Sequence, residues 1–121
     1  MANPIVKGTI SFTPDPAKNY FLTCVIGNGQ AGNSAYTDFE GNQQAADKNA
    51  PLGAGSSLKG KSLVVASEVM QVNPDNLNLV VTYYITDEPV DDPATEPEAG
   101  SADQDAAASQ TILFVTTIKF Q

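Results

Sequence analysis

The chain has 121 residues, enough for one hydrophobic core, with 41% hydrophobic residues and a formal net charge of -8. Its apolar runs fall far short of the roughly 20 residues that cross a bilayer, so no membrane span is predicted. It has no His, no Trp and no Arg, which excludes the commonest general base and transition-metal ligand, the bidentate phosphate clamp and the indole platform of many sugar sites.

Cys24 is the single cysteine, so an internal disulfide and cysteine-based zinc sites are excluded. Its apolar surroundings in YFLTCVI predict a buried hydrophobe, not a reactive thiol. The opening MANPIVKGTISF has no basic segment leading into an apolar one, and the expected compartment is the cytoplasm.

The first element is the alternation of Val6, Gly8, Ile10 and Phe12 with Lys7, Thr9 and Ser11, which predicts a strand with one face in the core. After the breaker TPDPAKN, residues Tyr20 to Ile26 are apolar on both faces and suit a central strand. Gly27, Gly29 and Gly32 then match the GxGxxG spacing of a dinucleotide loop. That chemistry needs a helix next, its N-terminus facing the pyrophosphate. The next segment, NSAYTDF, has no apolar stripe at helical spacing and is a weak strand candidate. IGNGQAGN is therefore predicted to be a turn bending at Asn28-Gly29.

Farther on, NQQAADKNA is the one stretch that suits a helix, about two turns long. GSSLKGKS fills every defined P-loop position with Gly55, Gly60, Lys61 and Ser62. A phosphate cradle needs a buried strand before the loop and a helix after it. DKNAPLGA cannot be that strand, and KSLVVASEVMQV, Lys61 to Val72, is rich in Val and predicts a strand instead of a helix. The NPDN turn predicts a hairpin from this strand into NLNLVVTYYIT. There Leu77, Leu79, Val81, Tyr83 and Ile85 share one face, with Tyr84 opposite.

Residues 87–110, DEPVDDPATEPEAGSADQDAAASQ, hold eight acids and no Lys: Asp87, Glu88, Asp91, Asp92, Glu96, Glu98, Asp103 and Asp105. The six remaining acids match the six lysines, leaving the rest of the chain formally neutral. Acids, prolines and small residues bury too little apolar surface to offset ordering entropy, so a long mobile loop is expected here. Such a charge distribution repels polyphosphate backbones, and no nucleic-acid partner is expected. From Thr111 the period of two resumes: Ile112, Phe114, Thr116, Ile118 and Phe120 lie on one face. This last strand either takes an internal partner, the preferred use, or pairs with a neighbouring subunit.

Several strands separated by turns, without a convincing amphipathic helix, predict an all-β fold. The expectation is one antiparallel β-sandwich, or jelly-roll-like barrel, over 1–121. Residues 5–86 and 111–120 make its sheets, and 87–110 project as an acidic loop. The expected function is non-enzymatic: a structural or protein-interaction module that self-associates, docks on a protein partner or belongs to a larger assembly, with no cofactor. The alternative is a calcium-dependent ligand-binding sandwich. Clustered carboxylates at one end of a sandwich are how C2-like modules hold the ion. Its ligands would be Asp87, Asp91 and Asp92, joined by Asp15 or Asp38 if those loops share the same end. A more remote alternative is a P-loop nucleotide binder.

Overall fold

In the computed structural model the period-two segments become two sheets packed face to face. The structure describes residues 3–121; the first two residues of the expected single-domain span, Met1 and Ala2, lie outside the described residues. Nine strands form among the described residues. They are β1 (Ile5–Phe12), β2 (Asn19–Ile26), β3 (Ala31–Thr37), β4 (Gln43–Ala45), β5 (Ala50–Ala54), β6 (Ser62–Met70), β7 (Asn78–Thr86), β8 (Gly100–Asp105) and β9 (Thr111–Phe120). One sheet has the order β1-β9-β6-β3-β4 and the other β5-β2-β7-β8. The fold is the expected sandwich, with antiparallel pairing everywhere except between β1 and β9, which run parallel from Ile5↔Leu113 to Phe12↔Phe120. A parallel pair needs a long connection, and here everything between the two strands serves as that connection.

The two runs that are apolar on both faces take the central places. β2 lies between β5 and β7, and β6 lies between β3 and β9. The last strand finds internal partners on both sides, β1 and β6. Inward residues from the two sheets make one core, in which Leu22, Val65, Leu79, Tyr83, Phe114 and Ile118 are fully buried. Polar groups in that layer pair with each other: Tyr83 Oη lies 2.8 Å from Thr116 Oγ1, and Ser34 Oγ lies 2.6 Å from Ser67 Oγ. Among the described residues every buried side-chain nitrogen or oxygen has a partner, as a dry interior requires. Between β4 and β5 the backbone stitches the sheets together at Ala46, whose carbonyl accepts from Cys24 N–H at 3.0 Å while its own N–H donates to the Ser34 carbonyl at 2.9 Å.

Three expectations are corrected. The NPDN turn does not close a hairpin: β6 and β7 belong to different sheets. Each carries a strong apolar face, and both faces are covered when the strands lie across the core from one another. The segment expected to be a two-turn helix contains β4, with Ala35 opposite Ala45. Its Ala, Gln and Lys residues favour a helix, but its Asn and Asp residues do not, two turns alone are marginal, and the free edge of β3 captures Gln43–Ala45. The region expected to be a projecting acidic loop, 87–110, is partly ordered by pairing. A 3-10 turn forms at Pro93–Thr95, and β8 adds to the edge of β7 from Asn78↔Asp105 to Tyr83↔Gly100. β8 needs little apolar surface because its two half-buried positions, Gly100 and Ala102, are small. A Cβ on Gly100 would come within 2.7 Å of Ile10 Cδ1, so glycine lets β8 lie close beneath β1. On its other face the Asn78 amide donates to Asp103 at 3.2 Å and Asp105 at 3.0 Å, bridging two like charges.

No helix among the described residues is long and apolar enough to cross a membrane. Phe114 lies in the interior strand β9 with no exposed surface, so truncation leaves a cavity between the sheets. Phe114→Ala should cost about 3–5 kcal/mol, read as a fall in the urea midpoint with an unchanged slope.

Candidate functional site

The order of the strands leaves β1 at a sheet edge, and its backbone geometry is set by two hydrogen bonds. The Pro4 carbonyl accepts from Leu113 N–H and the Phe12 carbonyl from Gln121 N–H, both at 2.9 Å. Even-numbered residues of β1 therefore turn their backbone groups toward β9. By the alternation of a strand, Ile5, Lys7, Thr9 and Ser11 turn theirs away. Among the described residues no strand pairs with that outer side. The result is an edge eight residues long with unpaired donors and acceptors at four of them, and Ile5 at its start is 58% exposed.

At the C-terminal end of β1 a cleft of about 470 Å³ opens between the sheets. Phe12, Tyr20 and Ile85 give it an apolar wall, and Lys18, Asp87, Glu96 and Glu98 a charged one. Phe12 and Tyr20 meet edge to face, with ring centres 5.3 Å apart, and Tyr20 Oη accepts from Asp15 N–H at 2.7 Å. Lys18 and Asp87 form an ion pair at 2.9 Å. The Lys18 ammonium holds the Asp87 carboxyl below its usual range, and Asp87 in turn raises the Lys18 ammonium. Glu96 and Glu98 leave the cleft mouth acidic.

The carboxylates singled out in the sequence are dispersed in local tasks. Asp87 is engaged by Lys18. Asp92 caps the Pro93–Thr95 turn by accepting from Ala94 N–H at 3.1 Å, and the neighbouring Asp91 is exposed. Asp15 accepts from Ala17 N–H in its own turn. Asp38 accepts from Asn42 and Glu40 N–H and from the Gln44 amide, contacts that lower its pKa. Among the described residues no three His, Cys, Asp or Glu side chains group as a metal site would require.

Both glycine patterns have structural uses. Asn28 at φ 58° and Gly29 at φ 70° form the bend of a tight turn closed by Gln30 N–H to the Gly27 carbonyl at 3.2 Å. At Gly32 a Cβ would fall 2.1 Å from the Glu68 carbonyl oxygen, so the close approach of β3 to β6 requires glycine. The turn leads into a strand, not a helix. The P-loop pattern has its short helix, Gly55–Leu58, before Lys61, while Ser62 begins β6. Its backbone is spent inside the fold: Gly60 N–H donates to the Phe120 carbonyl at 2.7 Å, and the Lys61 carbonyl accepts from Phe120 N–H at 2.9 Å. Lys61 Nζ rests 4.7 Å from the centre of the Phe39 ring. This is not the geometry of a phosphate cradle.

Sequence reading missed an amide clasp at the turn end. Gln30 accepts from the N–H groups of Val72 and Asn73 at 2.9 and 3.0 Å and donates to the Asn76 carbonyl at 2.7 Å. Asn28 donates to Asn78 Oδ1 at 3.0 Å, and Asn73 donates to the Asn28 carbonyl at 2.8 Å. The signal for it is the density of Asn and Gln in both turns, although composition alone names no partners. Cys24 is buried as expected, and burial pushes its thiol up to about 12, which keeps it protonated and unreactive at neutral pH.

In Lys18→Met the Asp87 carboxyl should titrate at higher pH than in the wild type, as followed by carboxyl NMR. Because the folded pKa of Asp87 is depressed, whatever stability the pair adds is present above the ordinary carboxylate pKa and fades as pH falls through the depressed value. Thermal melts in calcium and in chelator should superimpose. A clear upward shift in calcium would restore the C2-like alternative.

No family model, curated protein or solved structure matches this chain.

Proposed function

We propose that this protein is a non-enzymatic structural or interaction module that engages another polypeptide by strand addition, as a self-associating unit or as one component of a larger assembly. The observation that carries the reading is the outer edge of β1. Its unpaired backbone groups at Ile5, Lys7, Thr9 and Ser11 form a ready template for another strand. Main-chain hydrogen bonds give such docking its affinity, and the side chains at alternate positions give it selectivity. The absence of His and Arg from the sequence and the use of the glycine-rich loops as turns favour a binding role over a catalytic one.

Thr9→Pro tests the role of the edge, because Thr9 N–H points away from β9 and its removal costs no bond within the fold. Tagged wild-type protein should retain its partner in a native extract, and Thr9→Pro should lose it at an unchanged thermal midpoint. Retention by both forms, or by neither, would overturn the reading.

A further inference from the structure

The edge of β1 matches a second copy of itself, an inference that rests on β1 being the docking strand. The other three sheet edges carry devices that discourage strand addition. β4 is three residues long. β5 contains Pro51 and has Gly53 at φ 103°, and its ladder with β2 slips between Tyr20 and Phe21. β8 carries Asp103 and Asp105 within six residues. By contrast, β1 pairs with β9 over its whole length without a register shift, contains no proline and no acid, and has Lys7 as its one charge.

In an antiparallel pair, hydrogen bonds form only where outward residues face outward residues, so the odd positions of one copy must meet the odd positions of the other. A two-fold axis at Gly8 sets Ile5 opposite Ser11 of the second copy and Lys7 opposite its Thr9. All four outward residues of each strand are then paired, by about eight backbone hydrogen bonds. Moving the axis to Lys7 leaves Ser11 without a partner in β1 and sets two lysines face to face. Moving it to Thr9 leaves Ile5 unpaired. Backbone count and charge thus select the same register. On the inward face of that register Val6 meets Ile10 of the second copy and the two Gly8 residues meet at the axis.

We infer that two copies of this chain join through β1 in an antiparallel, two-fold register centred on Gly8, merging their five-stranded sheets into one of ten strands. Because Ile10 packs over Gly100, β8 lies on the same flank as β1, and pairing brings the two acidic β8 edges to the same side. Screening of Asp103 and Asp105 by salt favours this dimer.

Purified full-length chain should show a dimer by sedimentation and light scattering, with a fraction that rises with protein concentration and with sodium chloride. Thr9→Pro should be monomeric. Gly8→Cys should oxidise to a disulfide-linked dimer, since facing residues in a non-hydrogen-bonded pair lie within disulfide reach. A Cβ on Gly8 meets nothing nearer than Thr116 Oγ1 at 3.8 Å, so the site accepts the side chain. Lys7→Cys should not link, because in this register the two Lys7 positions are diagonal and beyond disulfide reach. A monomer at every concentration and salt, a dimer indifferent to Thr9→Pro, or linkage through Lys7→Cys in place of Gly8→Cys would each overturn the inference. If the purified chain is monomeric while Thr9→Pro still abolishes capture of a different protein, the second copy is wrong and the docking strand stands. If both effects are missing, both readings fall.

Discussion

The parallel ladder between β1 and β9 is the constraint on which the rest of the architecture depends. It joins the first and last strands side by side over eight residue pairs, with β6 covering the other side of β9 over nine. With β9 enclosed in this way, its inward row of Ile112, Phe114, Thr116 and Ile118 is placed over β7, and the buried Tyr83 to Thr116 hydrogen bond fixes the two sheets in register. Such a bond contributes only about 1 kcal/mol net, but leaving either hydroxyl unpaired in the core would cost more. Its main effect is on alignment. The same ladder consumes one side of β1 and leaves the other side open, so the edge proposed to dock a partner is a by-product of the contact that closes the fold.

Electrostatics shape the opposite sheet. Eight acids in a run with no lysine would favour an extended, solvated segment, and the chain counters this locally. Lys18 meets Asp87 at one end, the Asp92 carboxylate caps a turn in the middle, and the Asn78 amide bridges Asp103 and Asp105 at the other end. Each contact is exposed and weak on its own account. Together with the ladder to β7 they hold the acids along one flank. Acids on β8 also make that strand a poor template for additions, which leaves β1 as the more receptive edge on the same side of the sandwich.

Much of this was legible in the residues. Period two and β-branching identified β2, β6, β7 and β9, and the double-sided apolar runs marked the strands with neighbours on both sides. The turn at Asn28-Gly29 was legible, because the segment after it lacks the helical stripe that phosphate chemistry needs, whereas the place of Gly32 inside β3, against β6, was not. Pairing partners were not legible. The alternation in β1 and β9 says which residues face inward, but it is equally compatible with a parallel or an antiparallel neighbour. β8 was missed for a different reason. GSADQD has no apolar period, and its anchors are supplied from outside: the β7 backbone, the Asn78 side chain and the space beneath Ile10. The amide clasp was hidden in the same way, since Asn28, Gln30, Asn73 and Asn78 come from turns more than forty residues apart.

The interior position of β9 also has a bearing on how the molecule is made. It is the last of the nine strands described to leave the ribosome, yet it lies inside the five-stranded sheet, between β1 and β6. Until it emerges, β1 has no in-sheet neighbour and one side of β6 is bare, so that sheet cannot zip up progressively from its first strand. The β2–β7 pair of the other sheet can form earlier, and its apolar face must wait for cover. Closing a ladder between the two extremes of the chain is a contact of very high sequence separation, which places this protein among slow, late-condensing β folds. Until β9 docks, the nascent chain presents β6 as well as β1 for pairing with other molecules. The interval before β9 docks is therefore when it is most exposed to misassembly.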